Sequence, residues 1–156
     1  MSSKNRKKTS ENSILVRDVV ARHKGRQVPL IRQDTPIAKL PVAIQFHRHS
    51  RQLYVVDGQN NLLGNITLGH LVMYVFASSH GSGMNPRHVM RLITCTHAGD
   101  LMTEGTITAQ MDDRVEEVLE RMVNANVDEV PITDDEGRVV ADLTMIDLLL
   151  AGEGVV

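Results

Sequence analysis

The chain has one cysteine, no tryptophan and only four aromatic residues among its 156. Cys95 has no partner for an internal disulfide, which removes the stapled secreted scaffolds and points to a reducing, cytoplasmic setting. Residues 1–10 carry Lys4, Arg6, Lys7 and Lys8 with no apolar stretch behind them, so they do not read as a secretory leader. The longest apolar run, 71–77, is far short of the roughly 20 residues that cross a bilayer, so no membrane insertion is expected. Also missing are the GxxxxGK[ST] loop, the GxSxG elbow, the HExxH metal pair and any convincing acid/base pair. No enzyme is expected, no catalytic residue is assigned and no cofactor is required.

What is present is a composition of 42% hydrophobic and 23% charged residues, that of a single ordered globular unit. The net charge of −2 conceals a division along the chain. Residues 1–99 hold fourteen Lys and Arg against four Asp and Glu, a net +10, whereas residues 100–156 hold three against fifteen, a net −12. Beyond residue 8 the basic half has no Lys/Arg block, and its aromatics number four, which argues against a nucleic-acid partner.

The chain repeats itself. Residues 62–67 (LLGNIT) align with 139–144 (VVADLT) at a shift of 77, Val55, Val56 and Asp57 meet Ile132, Thr133 and Asp134 at the same shift, and the match runs on to Leu71 and Leu148. Upstream, Ile37, Leu40 and Ile44 meet Val115, Val118 and Met122 at a shift of 78, so the first copy has one extra residue near 47–50.

Each copy reads as a βαββα unit. In the second, the pattern predicts a short strand at 106–109, a helix over 114–125 with Asp113 and Glu116 suited to a capping box, strands at 130–133 and 138–143 around a turn of Asp134, Asp135, Glu136 and Gly137, and a last helix from Thr144 closed by Gly152. In the first, strands at 28–31, 53–56 and 62–66 and helices from 36 and over 69–77 are expected, with Pro41 shortening or kinking the first helix. Asn85 followed by Pro86 should cap a connecting helix toward Cys95. The expected division is a disordered basic tail (1–13), a first repeat (14–77), a linker with a short helix (78–97) and a second repeat (98–152). The fold class is α+β, two βαββα repeats packed as a pseudo-two-fold pair around a shared core, because a unit this small buries too little surface alone.

The ordered elements 100–103 (DLMT), 130–132 (VPI) and 144–147 (TMID), duplicated over about residues 14–152, resemble the tandem CBS domain pair, or Bateman module. The first copy departs twice: His70 stands where the closing aspartate would be, and Tyr54 where Pro131 stands in the second copy. The resemblance implies an adenosyl ligand, such as AMP, ATP or S-adenosylmethionine, bound in clefts between the repeats, and a regulatory role exerted on an effector protein that the sequence does not name.

Chemistry singles out Thr144 and Asp147. At a helix N-terminus, free backbone donors and the dipole favour a phosphate, while a carboxylate one turn in accepts from the 2′ and 3′ hydroxyls of a ribose. The same four residues also form a capping box that stabilises a helix without any ligand. The 127–132 run, with Val127, Val130 and Pro131, either contacts an adenine or is plain core strand. Thr106 and Thr108 are placed by position on the same cleft, and Tyr54 offers a ring. In the first copy Thr67 keeps the hydroxyl, but His70 cannot supply a permanent carboxylate, so that cleft is expected to be weak, empty or differently selective. His47 and His49 suggest either a metal or a solvated loop. Without paired cysteines no metal is assigned, and Arg48 and Arg51 beside them suit phosphate.

Asp128 and Glu129 near the base contact disfavour a triphosphate unless Arg26, Arg48 or Arg51 compensates. The charge division favours a head-to-tail homodimer that sets unlike copies together. The competing function is a ligand-free scaffold for dimerisation or docking.

Overall fold

The computed structural model describes residues 13–80, 83 and 85–153, so nearly all of the expected 1–13 tail and part of the expected 78–97 linker lie outside the described residues. In chain order the elements are α1 (Val16–Arg22), β1 (Leu30–Arg32), a 3₁₀ turn (Ile37–Lys39), α2 (Leu40–Gln45), β2 (Gln52–Val56), β3 (Leu62–Thr67), α3 (Leu68–His80), α4 (Pro86–Ile93), α5 (Ala98–Leu101), β4 (Ala109–Gln110), α6 (Val115–Ala125), β5 (Glu129–Thr133), β6 (Val139–Thr144) and α7 (Met145–Gly152).

The repeat is visible in the sheets. Each copy builds three strands in the order β1-β2-β3 or β4-β5-β6, the first pair parallel and the second antiparallel. Leu53 pairs with Ile66 as Val130 pairs with Leu143, and both hairpins shift register at matching places, between Val55 and Val56 and between Ile132 and Thr133. The turns match as well: Asp57 Oδ1 accepts from the N–H of Gln59 and Asn61, and Asp134 Oδ1 from those of Glu136 and Arg138. Asn60 and Gly137 take the positive φ each turn requires. These two turns meet, with Leu62 N–H donating to the Gly137 carbonyl and Val139 N–H to that of Asn60, which places the pseudo-two-fold axis between Asn61 and Arg138.

Several local expectations are corrected. The strand expected at 106–109 is two residues, Ala109 and Gln110, because 103–108 runs across to the other copy instead. Asp113 does not cap α6: Arg114 holds the cap position, and the Asp113 carboxylate turns back to the Gln110 N–H and Arg121. Pro41 sits in the first turn of α2, where its missing donor costs little, and α2 has 6 residues against the 11 of α6. Asn85 caps α4 through the Arg87 N–H.

The shared core is also corrected: there are two cores, each completed by a helix belonging to the other copy's lead-in. One gathers Val115, Val118, Met122, Ile132, Leu143 and Leu148 around Val16 and Val19 of α1, a helix not anticipated from the sequence. The other gathers Leu40, Leu53, Val55, Ile66 and Leu71 around Leu92, Ala98 and Leu101. The exchange is reciprocal in its hydrogen bonds. Val16 N–H donates to the Asp113 carbonyl and Val115 N–H to that of Ile14, just as Ala98 N–H donates to Thr35 and Ile37 N–H to Thr96. Gly64 lies against this crossing: a Cβ there would stand 2.5 Å from the Thr103 carbonyl oxygen, where Asn65 and Thr103 exchange backbone hydrogen bonds.

Candidate functional site

The crossing of 103–108 onto the first copy creates a cleft. Thr67 ends β3, and its hydroxyl accepts from the His70 N–H at 3.1 Å, capping α3. Opposite stand Thr103, whose hydroxyl is 3.3 Å from His70 Nδ1, and Thr106, whose hydroxyl donates to Asn65 Oδ1 at 2.9 Å. Asn65 in turn donates to Gln52 Oε1 at 2.7 Å, and Gln52 Nε2 reaches the Tyr54 hydroxyl and the Glu129 carbonyl. Between them lies a cavity of about 300 Å³, with Ile107, Ala125 and Val127 as apolar wall and Thr67, His70, Asn65 and Glu129 as polar wall. A second hollow of about 480 Å³ adjoins it, bordered by Arg51, Val72 and Asp128.

Glu129 is buried at the floor. Its carboxylate accepts from the Ser50 hydroxyl and, at 2.5 Å, from the Arg51 N–H. Burial pushes its pKa up, these donors oppose the rise, and the nearby Asp142 and Asp128 carboxylates add to it.

The pseudo-symmetric position around Asp147 is built differently. Thr144 and Asp147 form the capping box: Asp147 N–H donates to Thr144 Oγ1 at 3.2 Å and Thr144 N–H to Asp147 Oδ2 at 2.8 Å. The carboxylate is also gripped from the α1–β1 loop. Arg26 Nη1 donates to Oδ2 at 2.6 Å and Nη2 to Oδ1 at 3.2 Å, with His23 Nε2 3.3 Å from Oδ1. Burial alone would raise the Asp147 pKa, but Arg26 and the two Thr144 contacts outweigh it and bring it down to about 2. Beside it Asp142 is buried, with His49 Nε2 3.2 Å from its Oδ2. Burial pushes the Asp142 pKa up against the pull of His49 and Arg26. Asp142 Oδ1 and His47 Nδ1 are buried with no hydrogen-bond partner among the described residues.

The expected residues therefore divide. Thr106 and Val127 face Thr67 and His70 rather than Thr144 and Asp147, since each copy's strand lead-in crosses to the other copy's helix start. Thr108 lies apart, in a shallow depression with Leu62, Thr133 and Gly137. Tyr54, Val130 and Pro131 are buried, because β2 and β5 are covered on both faces, and they offer no open surface to a ligand. Arg51 is exposed and borders the larger hollow. His49 is not in a solvated loop but joins the copies through Asp142. Among the described residues no group of three or more His, Cys, Asp or Glu side chains is placed to hold a metal. No described helix is long and apolar enough to cross a membrane.

Sequence reasoning missed Asn65, Gln52, His23 and the Asp142 pairing. A signal existed for one pair: Asn65 and Asp142 hold the same repeat position, each a polar residue inside an otherwise apolar strand.

The family model described as CBS domain matches residues 98–154. Over 109 residues the chain is 29% identical to an uncharacterised protein of Methanopyrus kandleri, covering 69% of this chain and 50% of that one. The chain spans about half the length of the curated relatives it matches. Among solved structures, a CBS domain-containing protein of Thermotoga maritima superposes with a TM-score of 0.70 at 27% identity, covering 90% of this chain and 94% of that one. The CBS domain pair of protein MJ0100, solved in complex with 5-methylthioadenosine and S-adenosyl-L-methionine, gives a TM-score of 0.67 at 23% identity over 92% and 97%.

Proposed function

We propose that this chain, whose residues 98–154 match the CBS domain model and whose fold is that of a CBS domain pair, is a sensor of an adenosyl ligand that acts on an effector protein and not by catalysis. The observation that carries the reading is the cavity of about 300 Å³ in which the capped start of α3 faces the 103–107 backbone and the apolar pair Ala125 and Val127. An adenine needs an apolar slot with backbone groups at its edge, and a ribose needs polar atoms one helix turn away. This cleft offers both. Its walls come from both copies, so occupancy would change how the copies sit together, which is a signal another protein can read. The complex of the MJ0100 pair with two adenosyl compounds supports the class of ligand.

Among the described residues no Arg or Lys lines the smaller cavity, and Glu104 and Glu129 border it. An uncharged or cationic adenosyl compound suits such walls better than a triphosphate. The setting we propose is a reducing cytoplasm, in keeping with a single buried Cys95. We further propose a head-to-tail homodimer. Exposed Leu68, Val72 and Met73 on α3 and Ile146, Leu149 and Leu150 on α7 give each copy an apolar face, and the charge division rewards setting unlike copies together. Raising salt to about 0.5 M should weaken that association. Crosslinks confined to like copies would overturn it.

Thermal denaturation with adenosine, 5′-methylthioadenosine, S-adenosylmethionine, AMP and ATP tests the ligand. A compound present at about 100 times its Kd stabilises by about 2.7 kcal/mol. At this chain length that raises Tm by roughly 5–10 °C. No shift with any of the five would overturn sensing and leave the scaffold reading in its place.

A further inference from the structure

The position around Asp147 already holds an occupant, the chain's own Arg26. Both carboxylate oxygens are committed: Oδ2 takes Arg26 Nη1 and the Thr144 N–H, while Oδ1 takes Arg26 Nη2 and faces His23 Nε2. A ribose diol would need the same two oxygens. The paired guanidinium is largely buried, its side chain 21% exposed, and a second contact, Arg26 Nη2 to His23 Nδ1 at 3.1 Å, steadies it. An uncharged diol that displaced it would exchange a two-pronged ion pair for hydroxyl–carboxylate hydrogen bonds and leave the guanidinium without its counter-ion.

A second observation points to a ligand here. Asp142, 3% exposed, keeps Oδ1 without a partner among the described residues, and with His23 and Arg26 it lines a cleft of about 290 Å³. Buried acceptors are nearly always satisfied, so a donor from outside the chain fits this one. Gly25, next to Arg26, sits at φ +86° with nothing among the described residues within 4 Å of where a Cβ would be, a conformation that glycine adopts at little cost.

We propose that Arg26 is the charge-selecting residue of this second cleft, closing it to uncharged adenosyl compounds and opening it to one whose 5′-phosphate takes the guanidinium from Asp147 and frees the carboxylate for the ribose. The proposal rests on the adenosyl reading above and goes beyond it. The two clefts of one chain then sort adenosyl compounds by charge, the Thr67 cleft taking those without phosphate.

The test is calorimetry on the full chain with adenosine and with AMP, for the wild type, Arg26→Ala, Arg26→Gln and Asp147→Asn. Wild type should bind AMP at least about tenfold more tightly than adenosine at a site that Asp147→Asn removes. Both Arg26 variants should bring the two ligands within about threefold of each other and let adenosine in, with Arg26→Gln serving should the truncation destabilise the loop. An AMP preference that survives both Arg26 variants would overturn the proposal. So would adenosine binding as tightly as AMP to wild type at the Asp147-dependent site. Methylthioadenosine raising Tm while the Arg26 variants leave the preference untouched sinks this proposal and spares the sensor. Absence of binding by every compound sinks both.

Discussion

The two copies share strands, register, bulge and hairpin turn, yet at the start of the last helix one leaves a cavity between Thr67, His70 and Thr106 and the other sets an ion-pair knot of Asp147, Arg26 and His23. The difference traces to a few repeat positions. His70 replaces the carboxylate that Asp147 supplies, Asn65 replaces Asp142, and Gln52 replaces Glu129. In the first copy the neutral amides hand hydrogen bonds along a chain from Tyr54 to Thr106 and leave space beside them. In the second the acids recruit Arg26, His23 and His49 from the other copy. Duplication preserved the scaffold, and the charge at the polar strand positions decided whether the start of the last helix is lined by amides and hydroxyls or held by the chain's own arginine.

The largest expected effect probes the equality of the two cores. Leu148 and Leu71 hold the same repeat position and both are buried. Each change to Ala should cost about 2–5 kcal/mol. Because α1 and α4–α5 tie each core to the other copy, each variant should still unfold in one transition, and a biphasic urea curve would show the copies to be independent.

Next comes Gly64, whose mate is Ala141. Gly64→Ala forces a methyl onto the Thr103 carbonyl and should destabilise by about 1–3 kcal/mol. Ala141→Gly should cost only about 0.5–1 kcal/mol. Equal penalties in denaturant titration would mean that the crossing at Thr103 does not distinguish the copies.

Acid titration separates the clefts with opposite signs. Asp147 has its pKa lowered from 3.8 to about 2, so its stabilisation is complete above 3.8 and is lost as pH falls through about 2. That loss should reach about 1–2 kcal/mol. Asp142 and Glu129 have raised values, so each favours the fold when protonated, and stability rises as pH falls through those values toward 3.8 and 4.5. Urea midpoints from pH 7 to 2 should therefore hold or rise before they drop, and Asp147→Asn should flatten the final drop. An unchanged acid limb in that variant would count against the Arg26 knot.

The smallest effect sharpens the comparison at its origin. His70→Asp gives the first copy the carboxylate of the second without an arginine to close it. Affinity of the Thr67 cleft for an uncharged adenosyl compound should improve by roughly 0.5–1.5 kcal/mol in calorimetry. Weaker binding would show that the hydroxyls of the ligand do not reach position 70.

The repeat was legible because strand positions keep a constant shift of 77, and alternation and turn residues survive it. Thr144 with Asp147 was legible as a cap for the same local reason, and the structure contains that cap. Helix α1 was not: seven residues with Val16, Val19 and Val20 are too few to establish a 3.6-residue period. Nor does aligning a repeat with itself reveal which copy a lead-in helix joins, so the place of Thr106 and Val127 opposite Thr67 and His70 is not readable from the sequence. The partners of Asp147 and Asp142 lie 121 and 93 residues away, and nothing local in the chain announces such a pairing.

The exchange of lead-in helices also bears on synthesis from the N-terminus. Helix α1 is made roughly a hundred residues before α6 and α7, whose side chains complete its core. The first core, by contrast, closes once residue 101 is made. Val16 and Val19 therefore stay uncovered on the nascent chain until the residues of α6 and α7 that shelter them have been made.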